Sequence, residues 1–344
     1  MSEIRYDVIH DEYSLVAPER LHRPNYYAGV VEARIDETIE ACPFCEGKEY
    51  LTPPEIFAIR SNKPNMPGWK VRVIPNLYKA VQIETPFGSK EAGLYEIHNG
   101  FGAHEVIIDT PRHLLRLDKM SKDEYFNWLY TLRLRLADLR NDKRMVYFSI
   151  FKNHGFSASA TQVHPHTQLI ALPVVPKSKL NDYNRAFDYH LRNNRSLFDS
   201  VIQRELNEAK RIIYSDDEFL VFAPFASRFA FEVSIISKQN GFVSLLDLND
   251  KNLNNLAKLL LKIMNSLYRQ LGNFDFNLIF NTPPMQKTYA TERFYDRLHE
   301  FWRFQISITP RLFGLGGFEI DSCIYINPVL PEDAAGFLRR GLEE

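Results

Sequence analysis

The stretch "VHPHTQLIALP" (residues 163–173) sets two histidines and a glutamine at every second position and then runs apolar to a closing proline. Successive side chains of a β-strand point to opposite faces. As a strand, the segment carries His164, His166 and Gln168 on one face and Pro165, Thr167 and Leu169 on the other. One reading is a half-exposed strand whose polar face meets water. The other is a row of ligands or catalytic groups held at fixed spacing. The flanking sequence decides between them.

Upstream, "MVYFSIFKN" (145–153) reads as a neighbouring strand, joined to the first by the small-residue loop "HGFSASATQ". "WKVRVIPNLYKAV" (69–81) and "HEVIIDTP" (104–111) are further strands, rich in Val and Ile and bounded by Pro or Gly. "SKDEYFNWLYTLRLRLADLR" (121–140) reads as a helix: Ser121 and Glu124 form a capping box, and Tyr125, Trp128, Leu129, Leu132, Leu136 and Leu139 recur at three- and four-residue spacing. This order predicts an α+β fold, an antiparallel sheet with helices packed on it.

The second half repeats the order. "FEVSIISKQNGFVSLLDLNDKNLNNLAKLLLKIMNSL" (231–267) again runs strand, loop and amphipathic helix. "FNLIFN" (276–281) parallels "FSIFKN" (148–153), and "RFQISITP" (303–310) parallels "HTQLIALP" (166–173). On this register Glu105 faces Glu232, Asn153 faces Asn281 and Gln168 faces Gln305, whereas His113, His164 and His166 face Asn240, Phe301 and Arg303. The pattern predicts two halves related by internal duplication, 1–178 catalytic and 179–344 degenerate. A shared fold needs its apolar pattern in both copies, but one active site needs its chemistry in only one. Histidines lost together act together.

Composition narrows the function. The chain has 344 residues, 45% apolar and 25% charged, ordinary for a soluble globular protein with a well-buried core. A net charge of −1 provides no field to attract nucleic acid or anionic lipid. No apolar run reaches membrane-spanning length and the N-terminus has no apolar signal core. Three cysteines make no disulfide framework, so a reducing cytoplasm is the expected location.

Cys42-x-x-Cys45 supplies two thiolates on one turn, a common half of a tetrahedral zinc site. A redox CxxC opens a helix after a strand; here Gly47 and two prolines follow, which favours metal. His113 and His164 are the expected third and fourth ligands because the second copy lacks them, with His104 and His154 behind them as further candidates. Four protein ligands make such a zinc structural. His166, one strand repeat beyond His164, is then available as a nucleophile toward phosphorus, and Gln168 can donate its amide to a phosphoryl oxygen. The loop 154–162, with Lys152 beside it, and Arg20 and Arg23 are candidate phosphate contacts.

These residues resemble the galactose-1-phosphate uridylyltransferase branch of the histidine-triad superfamily. The resemblance runs through "APERLHRP", "CPFC", "VRVIPN", "HEVIIDTPRH", "FKNHGFSASATQVHPHTQLIALP", "PFASRFAFE" and "GGFEIDSCIYINPVLPEDAA". It implies two histidine-triad-like halves, His166 as the nucleotidylated nucleophile, Gln168 on the transferred phosphoryl group, and a structural zinc on Cys42, Cys45, His113 and His164. It further implies phosphate contacts from Arg20, Arg23, Asn153 and Thr161, a nucleoside contact from Asn76, and a sugar contact from Glu319. The implied reaction moves a nucleoside monophosphate from a nucleoside-diphosphate sugar to a hexose 1-phosphate, in a homodimer whose sites draw on both chains. Ser159 stands where the family often has Gly, and Tyr325 where galactose-pathway enzymes usually have Gln. The latter resembles the ADP-glucose phosphorylase branch, with inorganic phosphate as acceptor. Phosphorolysis of a dinucleoside polyphosphate and a non-catalytic nucleotide-binding role also fit this pattern. In some members histidines of the second half build a second metal site; Asn240, Arg303 and Gln305 stand there instead, and no metal is expected.

Overall fold

The computed structural model describes residues 1–22 and 39–343. In chain order its strands begin with β1 (Glu3–Asp7), β2 (Glu12–Val16), β3 (Phe57–Arg60), β4 (Trp69–Pro75), β5 (Ser89–Ala92), β6 (Tyr95–His98), β7 (Ala103–Ile108), β8 (Tyr147–His154) and β9 (His166–Leu172). They continue with β10 (Ile212–Ser215), β11 (Phe219–Phe222), β12 (Val233–Ser237), β13 (Phe276–Asn281), β14 (Gln305–Pro310) and β15 (Tyr325–Asn327). The helices are α1 (Lys122–Leu139), α2 (Lys177–Asn193), α3 (Leu197–Glu208), α4 (Asp250–Leu271), α5 (Leu298–Phe301), α6 (Gly317–Ser322) and α7 (Pro331–Glu343).

Ten strands form one sheet in the order β10-β11-β12-β14-β13-β8-β9-β7-β4-β3, every neighbour antiparallel. The order is the same read inward from either edge, with β8 and β13 meeting at the centre. Within each half a long helix, α1 or α4, connects corresponding strands. The α+β reading holds, and the two sheets expected of the two halves are joined edge to edge. The division at 178/179 falls inside α2. The capping box of α1 forms as expected, Ser121 Oγ accepting from the Glu124 N–H and Glu124 Oε2 from the Ser121 N–H.

The sequence register between the halves slips by one to two residues. Phe151 pairs with Gln168 in the first half and Asn281 with Gln305 in the second. Equating Asn153 with Asn281 and carrying the ladders outward sets Gln305 in the place of His166 and Arg303 in that of His164. The counterpart of Glu105 becomes Val233. A two-residue shift keeps every side chain on its own face, so apolar alternation could not detect it.

One face of the sheet is covered throughout. Trp128, Leu132 and Leu136 of α1, Leu256, Leu260 and Ile263 of α4, and Leu338 of α7 close over Ile107, Ile150, Leu169, Ile235, Leu278 and Ile306. The other face differs between the halves. In the second half α2, α3 and α5 cover it through Tyr183, Phe187, Phe198 and Phe301. In the first half it carries only a small apolar group, Trp69, Ile74, Val106 and Ile108, with Phe44 against it. The polar row of β9 lies on this less covered face. Strands β1, β2 and β15 form a separate small sheet. That sheet is tied to the second half by Arg5 on Glu332 and by Ser14 Oγ on the Ala226 carbonyl.

Candidate active site

Four ligand-bearing side chains converge ahead of β9. The donor atoms of Cys42, Cys45, His113 and His164 all lie within 4.8 Å of one another. His164 Nδ1 is 3.6 Å from each sulfur and His113 Nδ1 is 3.4 Å from Cys45 Sγ. Tetrahedral zinc, with bonds of about 2.3 Å to sulfur and about 2.0 Å to nitrogen, sets sulfur and nitrogen about 3.6 Å apart. The donor set therefore fits a metal ion. His164 Nε2 donates to the Thr110 carbonyl at 2.8 Å, which fixes the proton there and leaves the Nδ1 lone pair toward the two sulfurs, where a metal would be held. His104 and His154, the further candidates, are elsewhere: His154 is stacked on Phe276 with Nε2 3.2 Å from the Tyr268 hydroxyl.

In the second half, the counterparts Asn240 and Arg303 also meet. The buried Arg303 guanidinium donates to Asn240 Oδ1 and to Asp199, so a fixed organic cation sits where the first half gathers metal ligands. Gln305 Nε2 donates to the Arg303 carbonyl at 3.3 Å. His166 makes the same contact in the first half, Nδ1 to the His164 carbonyl at 2.9 Å. An imidazole in one half and an amide in the other occupy the same backbone setting.

That contact decides the chemistry of His166. With the proton held on Nδ1, the Nε2 lone pair is free, and Nε2 makes no hydrogen bond among the described residues. Burial, assisted by the Lys152 charge, pushes the His166 pKa down to about 4, so the ring is neutral near pH 7. Phe44, between the two cysteines, packs its edge on His166 with ring centroids 5.5 Å apart.

Beneath the strand, on the covered face, lies a polar cluster missed by the sequence reading. Lys152 Nζ donates to Asp109 and, at 2.9 Å, to the His166 carbonyl. Thr167 Oγ1 donates to Asp109 at 2.9 Å and accepts from Trp128 Nε1 at 2.8 Å. Burial pushes the Asp109 carboxyl up and the Lys152 ammonium down, and their contact opposes both shifts. Lys152 therefore anchors the strand from behind and does not face a phosphate, because alternation along β8 turns it away from the face that Asn153 shares with His166.

The loop after β8 is held by the second half. Gly155 has φ +82, and a Cβ there would meet the Asp275 carboxylate at 1.7 Å. The same carboxylate accepts from the Ser157 N–H at 2.7 Å. Asn277 Nδ2 donates to Asn153 Oδ1 at 2.9 Å and to the Ala158 carbonyl at 3.1 Å, and the Asn153 amide NH2 makes no hydrogen bond among the described residues. Ser159 adopts φ +65, a left-handed conformation that favours glycine. Nothing in the sequence around Asp275 or Asn277 signals this role.

Thr161 lies exposed on this loop, and Asn76 sits beside His104, whose Nε2 is 2.9 Å from Gln168 Oε1. Arg20 and Glu319 have no hydrogen bond or ion pair with His166 or Gln168 among the described residues: Arg20 follows β2, and Glu319 Oε2 accepts from the Gly316 N–H at 2.9 Å. Arg23 lies outside the described residues. A cavity of about 560 Å³ opens over the second half, lined among others by Ser234, Gln305 and Ser307, so that Gln305 faces it from the place that His166 holds in the first half. Among the described residues no helix is long and apolar enough to cross a membrane.

Comparison with known proteins identifies the family. Residues 1–176 match the family described as galactose-1-phosphate uridyl transferase, N-terminal domain. The chain is 33% identical to the ADP-glucose phosphorylase of Arabidopsis thaliana, over 98% of its own length and 92% of the relative's. It is 25% identical to the galactose-1-phosphate uridylyltransferase of Thermotoga maritima, over 98% of both. A crystal structure of an A. thaliana ADP-glucose phosphorylase with bound ADP-glucose superposes with a TM-score of 0.79 at 29% identity, covering 98% of this chain and 99% of that one. With its zinc-type ligand cluster and a neutral histidine beyond it, the chain belongs to the galactose-1-phosphate uridylyltransferase family.

Proposed function

We propose that the protein is a ping-pong nucleotidyltransferase acting on nucleoside-diphosphate sugars. The observation that carries this is the fixed tautomer of His166, with Nδ1–H on the His164 carbonyl and Nε2 unpartnered among the described residues. In the first step Nε2 bonds to the α-phosphorus and the bond to the departing hexose 1-phosphate breaks. In the second step an acceptor oxygen takes the nucleotidyl group and His166 regains its lone pair. Gln168 and Asn153 donate amide N–H groups to phosphoryl oxygens as charge develops. Zinc on Cys42, Cys45, His113 and His164 supplies no catalytic step; it ties the turn carrying Phe44 to the start of β9.

The acceptor divides two readings. A hexose 1-phosphate makes the protein a uridylyltransferase of the galactose-1-phosphate type; inorganic phosphate makes it an ADP-glucose phosphorylase. Tyr325 and the 33% identity to the A. thaliana phosphorylase favour phosphate. Arg20, Arg23, Thr161, Asn76 and Glu319 complete the proposed substrate contacts. Glu319, beside Leu315 and Tyr325, would serve the site of a second copy in a homodimer. The test is turnover of ADP-glucose with phosphate against UDP-glucose with galactose 1-phosphate, products separated by ion exchange. Formation of ADP and glucose 1-phosphate supports the phosphorylase reading; UDP-galactose formation supports the uridylyltransferase reading. Turnover in neither overturns both.

A further inference from the structure

We infer that His104 is the residue that points Gln168: by taking the amide oxygen it leaves the amide NH2 to face the transferred phosphoryl group. The inference deepens the proposed nucleotidyl transfer and rests on it. His104 lies on β7, buried, two residues before Val106, which pairs with Gln168. Its Nδ1 accepts from the Ala80 N–H at 3.1 Å. A backbone N–H cannot rotate to present an acceptor, so Nδ1 of the neutral ring bears no proton and Nε2 must. Nε2–H then donates to Gln168 Oε1 at 2.9 Å. Asn76 Oδ1 accepts from the Tyr78 N–H at 2.8 Å, which leaves its Nδ2, a donor, 3.0 Å from the protonated Nε2; the two donors form no hydrogen bond, and the Nε2 proton is directed to Gln168.

A free glutamine amide has two orientations of nearly equal energy, one presenting oxygen and one presenting NH2. Only the second stabilises negative charge on a phosphoryl oxygen; the first repels it. The Ala80–His104–Gln168 chain removes the wrong orientation before substrate arrives. Gln168 Nε2 makes no hydrogen bond among the described residues, as required of a donor kept for the substrate. Asn153 is oriented in the same way by Asn277, so two amides on this face share one design. His104 is thus a positioning residue, and Gln168 is the group that touches the phosphoryl oxygen.

The test compares His104→Phe, His104→Gln, Gln168→Ala and the His104→Phe/Gln168→Ala double variant in single-turnover labelling of the protein by ADP-glucose and by UDP-glucose. His104→Phe should slow labelling about 10- to 100-fold, as expected for a misplaced transition-state donor, with half-saturation changed less than about threefold. His104→Gln, which keeps an N–H donor, should recover most of the rate and serves if the Phe variant fails to fold. The double variant should be no slower than Gln168→Ala alone, because His104 acts only through Gln168. Wild-type rate in His104→Phe, or losses that multiply in the double variant, would overturn the inference. If the wild type is not labelled at all, nucleotidyl transfer fails as a reading. The orientation is then read from the Gln168 side-chain amide NMR signals, identified by their loss in Gln168→Ala. They should shift in His104→Phe, and signals that stay put overturn the inference by themselves.

Discussion

Replacing Gly155 by alanine tests whether the second half of the chain holds the loop ahead of β9, the strand of His166 and Gln168. Gly155 has φ +82 and ψ 165, a region essentially confined to glycine, where a side chain costs about 1–3 kcal/mol. The new Cβ would fall 1.7 Å from Asp275 Oδ1 and 2.1 Å from its Cγ, so the whole carboxylate must move. Moving it breaks the bond from the Ser157 N–H, and a hydrogen bond to a charged group contributes about 1.5–3 kcal/mol. The stiffer unfolded chain returns about 0.5–1 kcal/mol. Gly155→Ala should therefore lose about 3 kcal/mol in urea unfolding and slow nucleotide labelling of His166 at least about tenfold, because the loop N–H groups shift. Adding Asp275→Ala should relieve the collision while leaving the backbone cost. A Gly155→Ala protein within about 1 kcal/mol of wild type that labels at the wild-type rate would refute the reasoning.

Lys152→Met should destabilise by about 3–5 kcal/mol in urea unfolding by leaving Asp109 buried without its cation, and Lys152→Met/Asp109→Asn should recover much of this; equal losses in both would count against the buried pair. Purified protein should carry about one zinc per chain by elemental analysis, and Cys42→Ser/Cys45→Ser should carry almost none and melt lower, as should wild type with a chelator. Against burial, which pushes it up, bonds from Arg112, the Ser121 N–H and Thr110 hold the Glu124 carboxyl down to about 2. A depressed carboxyl contributes stability above its unfolded value of 4.5 that is lost as pH falls toward about 2, so the thermal midpoint of wild type should drop more steeply across that window than that of Glu124→Gln.

Much of this architecture was legible in the chain because it rests on local signals. The capping box at Ser121, the helical spacing from Tyr125 to Leu139 and the alternation in β9 each name their element without tertiary information. The CxxC turn and the histidines absent from the second copy led to four residues that do converge. What stayed hidden depends on register and on contacts distant in sequence. Period-two alternation could not separate Arg303 from Gln305 as the counterpart of His166. Lys152 beside a small-residue loop suggested a phosphate contact, whereas its odd-even position turns it into the core. Asp275 and Asn277, more than a hundred residues from the loop they brace, carry no motif. His104 was considered only as a metal ligand, because its partners Ala80 and Gln168 meet it through sheet pairing and a loop.

Covalent transfer through His166 is tested most directly by the intact mass of the protein mixed with ADP-glucose or UDP-glucose, without acceptor, near neutral pH. The expected result is an adduct of one nucleoside monophosphate per chain, mapped to His166, discharged by acceptor and missing in His166→Ala. An adduct that persists in His166→Ala, or zinc-loaded protein that turns over either sugar nucleotide with no adduct forming, would contradict it.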